Sequence, residues 1–363
     1  MDKTFLNKIL IKAQELKSSD IHISSNLVPH VRSFGNMIPI DGFQVLTAKN
    51  ILDILLDIMD KNTKDSFLKK GQADFAYVNQ ETKIRYRVNA FKDHAGVAIV
   101  LRALSSKIPV LEESNYPDIL KKVASLEKGL VLVCGPTGSG KSTTLAAIID
   151  YINRNAKKHI ITIEDPIEYV YTSSKSLINQ REVGRDVQTF SDGLKGALRE
   201  DPDVILIGEM RDRETIKMAL TAAETGHLVF GTLHTMSASK TIDRIIDSVD
   251  SGEKDVVRTM LSTSLKAIIL QTLLKKADGS GRVAAYEILV ATGAIRNMIR
   301  ESKTYQIDSL MQTGSKYGMV IMKDYIEKLI RERLVDPEEA KLAISNSDEE
   351  IFKVDEKKYY EVK

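Results

Sequence analysis

Eight consecutive residues, Gly135-Pro136-Thr137-Gly138-Ser139-Gly140-Lys141-Ser142, follow the spacing G-x-x-x-x-G-K-S. That pattern suits one chemistry, the holding of a polyphosphate. Glycines at 135, 138 and 140 let the backbone curl until successive N–H groups converge on one anion. Lys141 is placed to reach the β- and γ-phosphates, and the Ser142 hydroxyl to ligate Mg²⁺. Pro136, Thr137, Ser139 and Thr143 complete the expected nucleotide-binding stretch. A helix beginning near Lys141 adds its positive end to the same place.

Hydrolysis needs more than phosphate binding: water must be oriented and the metal held. Ile160-Ile161-Thr162-Ile163 runs into Glu164, and Val204-Ile205-Leu206-Ile207 runs into Gly208-Glu209. Open α/β sheets bind ligands at the carboxyl ends of their strands. Both carboxylates are therefore expected to face the phosphate loop. Glu164 can orient or deprotonate water, and Glu209 can hold Mg²⁺ through water; the sequence leaves the division of roles open. A further apolar run, Leu228–Leu233, ends at His234, which can contact the γ-phosphate; His227, at the start of that run, is the weaker candidate. Charge developing on the phosphate also calls for cations, and one arginine can contribute about 10³–10⁵ in rate. The candidates are Arg85, Arg87 and Arg102 near the N-terminus, and Arg211 and Arg244 further on. For any one of them an ordinary surface ion pair is the competing role.

The surrounding pattern supplies elements able to aim these groups. Leu130–Cys134 reads as a buried parallel strand. Thr143 to Asn153 has helical apolar spacing at Leu145, Ile148, Ile149 and Ile152. Strands at Ile160–Ile163, Val204–Ile207 and Leu228–Thr232 alternate with helices at Ile119–Leu126, Asp192–Glu200 and Asp212–Thr225. Such alternation predicts a parallel sheet covered on both faces. From about Val256 the pattern reads as helical, apart from a strand at Val283–Leu289. Before this region, Phe5–Leu16 reads as a helix and Ile21–Ile23 as a strand. Val31–Ile40 reads as two strands around a Phe34-Gly35-Asn36 turn, and a helix capped by Thr47 runs to about Met59. Three more strands follow at Asp74–Val78, Ile84–Phe91 and Val97–Leu101. His22 and His30 have no second ligand cluster nearby and read as structural. The expected division is a small mixed α/β domain over 1–104, a linker over 105–117, an ATPase domain over 118–290 and a helical region over 291–363.

The bulk numbers agree with this. A length of 363 residues suggests about two domains. Hydrophobic residues at 43% and charged residues at 28% are ordinary for a chain with a sizeable core. The net charge of +2 is spread without a basic block, so no nucleic-acid partner is expected. Cys134 is the only cysteine, which excludes an intrachain disulfide and a cysteine-ligated zinc. The N-terminal twenty residues do not read as a signal or anchor, and no apolar run reaches membrane-spanning length, so a cytoplasmic location is expected.

Taken together, SDIHIS at 19–24, IRYRVNAF at 84–91, GPTGSGKSTT at 135–144 and ITIEDPIEYV at 161–170 resemble the type IV pilus retraction ATPases. This is the PilT family of secretion ATPases. NQREVGRD at 179–186, ALREDPDVILIGEMRD at 197–212, TAAETGHLVFGTLHT at 221–235 and AIRNMIRE at 294–301 extend the resemblance over nearly the whole chain. The resemblance implies a PAS-like N-terminal domain, a RecA-like P-loop ATPase domain with nucleotide between the two, and a ring of six subunits. ATP and Mg²⁺ are the implied cofactors. It assigns Glu164 to an acidic box, Glu209 to a Walker B-type segment, and His227 and His234 to a histidine box. Arg87 and Arg102 match arginines that approach the nucleotide in relatives. The implied work is pilus retraction at the cytoplasmic face of the inner membrane, driving a platform protein there. An accessory paralogous motor and a nucleotide-gated scaffold with little hydrolysis are the alternatives.

Extension motors of this kind carry a four-cysteine zinc site and an extra N-terminal domain, neither of which is expected here. Residues 294–301 have a plainer reading too. Ala294, Ile295, Met298 and Ile299 form one apolar face, with Arg296, Asn297, Arg300 and Glu301 opposite. The resemblance makes this helix a retraction element. Met298 stands where leucine is usual, the segment SVDSGEKDV lacks a usual Phe-Pro pair, and the tail SDEEIFKVDEKKYYEVK has no counterpart.

Overall fold

A computed structural model describes residues 3–33, 36–104, 107–112 and 116–345, with the side chains of 342–345 excepted. Phe34 and Gly35 of the expected turn, parts of the expected linker and the tail from 346 lie outside the described residues. The chain divides into two compact units, Met1–Ile108 with Pro166–Val170, and Pro109–Asp165 with Tyr171–Lys363.

The first unit contains α1 (Lys3–Glu15), β1 (Ser18–Ser24), β2 (His30–Ser33), β3 (Asn36–Pro39), α2 (Ala48–Ile58), α3 (Lys61–Lys70), β4 (Gln72–Val78), β5 (Arg85–Asp93) and β6 (Gly96–Ala103). Its sheet runs β3-β2-β1-β6-β5-β4, and each neighbouring pair is antiparallel. Period-two alternation sorts the faces. On β5, Tyr86, Val88 and Ala90 are buried while Arg87 and Asn89 are exposed. The helices cover the buried face: α1 contributes Leu6, Ile9, Leu10 and Ala13, and α2 contributes Ile51, Ile54 and Leu55. Thr47 caps α2 through a reciprocal pair with Asn50, an arrangement of the sort that contributes about 1 kcal/mol. Helix α3 carries no clear signal in the sequence. It buries only Phe67, so it has little apolar periodicity, although Asp60 caps its start and Gly71, at φ 75°, ends it. His22 and His30 face each other across β1 and β2.

The second unit begins with α4 (Ile119–Ala124), β7 (Gly129–Cys134), α5 (Lys141–Asn155), β8 (His159–Glu164), β9 (Leu177–Glu182), α6 (Phe190–Ala197) and β10 (Val204–Ile207). It continues with α7 (Arg213–Glu224), β11 (Leu228–Leu233), α8 (Ala238–Ile246), α9 (Lys254–Ser264), β12 (Leu265–Lys275) and β13 (Arg282–Val290). Helices α10 (Gly293–Arg300), α11 (Ile307–Gln312), α12 (Met322–Arg331) and α13 (Pro337–Ser345) follow. The sheet order is β13-β12-β7-β11-β10-β8-β9, parallel throughout except for the β12–β13 pair.

Both faces of this sheet are buried, which explains the unbroken apolar runs of its central strands. On β7, Leu130, Leu132 and Cys134 point into a core shared with α6 to α11. Val131 and Val133 point into the opposite core, with Leu145, Ile148, Ile149 and Ile152 of α5. Each such aliphatic side chain contributes about 1.5–3 kcal/mol by leaving water. Ile295 and Ile299 of α10 belong to the first core, and Tyr325, Ile326 and Leu329 of α12 to the second. One expectation is corrected: the stretch read as helical after Val256 contains β12, an eleven-residue strand. Its apolar run is continuous, and such runs do not distinguish buried strand from buried helix.

Candidate functional site

Register along the parallel strands brings the chemical groups to one edge. Cys134 of β7 lies beside Leu233 of β11, and Ile207 of β10 lies between Gly231 of β11 and Ile163 of β8. The phosphate loop, His234, Glu209 and Glu164 therefore leave the sheet along the same edge, in that order, on strands about 4.8 Å apart. His227 leaves β11 at the other end, about 20 Å away along the strand. Its Nδ1 lies 2.9 Å from the Ala222 carbonyl oxygen. The two histidines of the one segment are thus not brought together.

The loop has the backbone that its glycines promise. Gly135, Gly138 and Gly140 take φ values of 136°, 79° and 88°, a region that side chains rarely enter. Lys141 opens α5 and is buried; its Nζ donates to the carbonyl oxygens of Gly135 and Pro136, each at 2.9 Å. The ammonium is thereby kept at the loop that it would serve. Ser139 is buried, and its Oγ has no hydrogen-bond partner among the described residues. An unsatisfied buried hydroxyl inside a glycine-built concavity fits a loop made to take an anion.

Glu209 accepts from Arg211 Nε at 2.5 Å, and His234 Nε2 stands 3.3 Å from the same oxygen, Oε1. Burial pushes the Glu209 carboxyl up, but the Arg211 guanidinium, seconded by His234, holds it below the usual carboxylate range. Glu209 stays ionised. Glu164 is held differently: its Oε1 accepts from Thr162 Oγ1 at 2.7 Å and from Gln180 Nε2 at 3.2 Å. Among the described residues no group of three or more His, Cys, Asp or Glu could hold a metal. Mg²⁺ is commonly bound through one or two carboxylates together with substrate phosphates. Ser142 and Glu209 are the residues that would hold it.

Several groups that set this geometry carried no signal in the sequence. Thr232 Oγ1 donates to the Gly208 carbonyl oxygen at 2.5 Å, and Met210 N donates to Thr232 O at 3.0 Å. Gly208 N donates to Ile163 O at 2.8 Å. The turn carrying Glu209 is thus tied to strands on both sides. Gly231 admits the Met210 side chain beneath that turn; a Cβ there would collide with Met210 Sδ. Thr162, Thr232 and Gln180 look like ordinary strand residues until their partners are known.

The arginines divide between the units. In the first, Arg87 pairs with Asp74 at 2.6 Å, Arg102 pairs with Asp20 at 2.7 Å, and Arg85 opens β5. In the second, Arg211 joins Glu209 at the sheet edge, and Arg244 is exposed on α8. On α10, Ile295 and Ile299 are buried, Met298 is partly buried and Ala294 is exposed, so the apolar face is narrower than its pattern suggested. Opposite, Asn297 donates to Glu301 at 2.8 Å and accepts from Arg300 at 3.3 Å, while Arg296 is partly buried.

Strand, glycine loop and helix at the edge of a parallel sheet, with carboxylates on neighbouring strand ends, define a P-loop protein of the RecA-like α/β class. Residues 2–340 match the family model described as type II/IV secretion system protein, and the chain belongs to that family. The twitching motility protein of Neisseria gonorrhoeae is 50% identical over 324 residues, covering 89% of this chain and 86% of that protein. The type IV pilus retraction ATPase PilT of Pseudomonas aeruginosa is 48% identical over 336 residues, covering 93% and 97%. A crystal structure of the pilus retraction motor PilT with bound ADP superposes with a TM-score of 0.86 at 45% identity, covering 93% of this chain and 96% of that one.

Proposed function

We propose that this protein is a Mg²⁺-dependent ATP hydrolase whose turnover powers retraction of type IV pili. The observation that carries the reading is the alignment of the phosphate loop, His234, Glu209 and Glu164 along one sheet edge. Near-full-length similarity to proteins named for retraction and twitching supports the mechanical half.

In this reading the N–H groups of 135–142 and the Lys141 ammonium hold the phosphates. Glu164, fixed by Thr162 and Gln180, orients the attacking water. Glu209 and Ser142 present oxygens to Mg²⁺, which when bound neutralises charge on the phosphates. His234, at the strand end beside the loop, meets the γ-phosphate, and Arg87 and Arg102 supply further positive charge. The working form is a ring of six copies. It acts at the cytoplasmic face of the inner membrane on a platform protein embedded there; no helix among the described residues is long and apolar enough to cross that membrane.

The test is imaging of labelled surface pili in cells deleted for this gene and complemented with wild type or Lys141→Ala. Pili that extend but no longer retract, rescued only by the wild type, are the expected result. Absent pili would make the protein an extension motor. Pili that still retract would assign it an accessory role or a different machine.

A further inference from the structure

Gln271 is a buried amide in the middle of an apolar strand, β12, the neighbour of β7. A polar side chain in such a place is costly unless it is hydrogen-bonded. Its Oε1 accepts from Thr144 Oγ1 at 2.6 Å. Thr144 lies in the first turn of α5, is 1% exposed, and donates its N–H to the Gly140 carbonyl oxygen at 3.0 Å.

The same residue meets both ends of the phosphate loop. A Cβ on Gly135 would collide with the Gln271 main-chain oxygen, and one on Gly140 would lie 2.8 Å from Gln271 Nε2. The two glycines therefore permit close approach of Gln271 as well as a left-handed backbone. Directly opposite Gln271 on β13 stands Tyr286, 1% exposed. Tyr286 is in turn packed edge-on against Tyr325 of α12, with ring centroids 5.4 Å apart. The start of the loop, its end and the first turn of its helix are thus all referred to one residue on the adjacent strand.

We infer that Gln271 is a positioning residue for the phosphate loop, acting through Thr144 and the backbone of Gly135 and Gly140, with Tyr286 packed opposite it on β13. The inference rests on the nucleotide-binding reading of residues 135–143. It assigns β12 a task beyond extending the sheet: bracing the loop so that its N–H groups are preorganised before nucleotide arrives. Misplacement of such a group by about 1 Å can cost on the order of 10²-fold in rate.

The experiment compares wild type, Gln271→Leu, Gln271→Glu, Tyr286→Phe and Lys141→Ala. The readouts are ADP affinity by calorimetry, KM and kcat for ATP, and melting temperature without nucleotide. Gln271→Leu keeps the volume and removes the amide. It is expected to weaken ADP binding and raise KM by about tenfold, with an unliganded melting temperature near that of wild type. Gln271→Glu keeps the acceptor for Thr144 and is expected to recover most of the affinity. Tyr286→Phe is expected to lose less than Gln271→Leu. ADP affinity unchanged in Gln271→Leu but lost in Lys141→Ala would overturn the inference and leave the nucleotide site standing. Affinity that falls only in step with the melting temperature across the Gln271 variants, with no recovery in Gln271→Glu, would reduce Gln271 to core packing. A wild-type protein that binds no ADP would overturn both readings.

Discussion

Arg87 and Arg102 occupy directly opposed positions on β5 and β6, and each is held by an aspartate from the strand on its outer side. Asp20 of β1 is the register partner of Arg102; Asp74 of β4 reaches Arg87 from two positions along. Like charges directly opposite each other in a sheet are destabilising. The flanking carboxylates bracket the two guanidiniums, giving the row Asp20, Arg102, Arg87 and Asp74. The Arg102 side chain remains 66% exposed within this row.

Arg102→Ala is expected to lower kcat for ATP about tenfold or more while KM changes by less than about threefold, because the arginine is assigned to charge that develops in the transition state. Steady-state phosphate release against ATP concentration reads both. A rise in KM at constant kcat would place Arg102 in ground-state binding instead.

Asp20→Asn tests what holds that arginine. Burial raises the Asp20 carboxyl, but hydrogen bonds from Arg102 and Ser19, with the charge of Arg102, bring it below its ordinary value of 3.8. A carboxyl depressed in the folded state stabilises fully above its unfolded value, and that stability is lost as pH falls through the folded value. Wild type is therefore expected to melt above Asp20→Asn near neutrality, with the gap closing as pH drops below 3.8. The exposure of Arg102 to solvent keeps the difference to about 1 kcal/mol. Thermal melts across pH measure it, and a gap independent of pH would exclude the ion pair as its source.

Gly231→Ala drives a methyl group into collision with Met210 Sδ. Overpacking of this kind costs about 1–3 kcal/mol, and the strain falls on the turn that carries Glu209. Lower stability in urea and lower turnover are both expected. Adding Met210→Ala should restore turnover by making room. If activity in the single variant were unchanged despite the lost stability, the Met210 contact would not be what sets Glu209.

Much of this was readable from residues alone. The central strands showed themselves because burial on both faces demands unbroken apolar runs, and the loop because its φ angles admit little but glycine. Helix α3 was missed because one buried phenylalanine makes no period. Strand β9 was missed because, at the sheet edge, it buries only Glu182. Strand β12 reads as helix in the sequence because Ala267–Leu270 is apolar at every position. The holders of the carboxylates were silent for another reason. A threonine such as Thr162 or Thr232 suits a strand on propensity alone, and only the fold reveals which oxygen it serves.

Cys134 is the last residue of β7, immediately before the phosphate loop; it is fully buried, and burial pushes its thiol up to about 11. It is also the only sulfhydryl in the chain. Toward alkylating reagents the folded protein therefore behaves as though it had none. A single cysteine introduced on an exposed surface would take a dye or spin label without competition. Slow modification of Cys134 itself would time the opening of the sheet beneath the nucleotide, a clock already built into the strand that the loop hangs from.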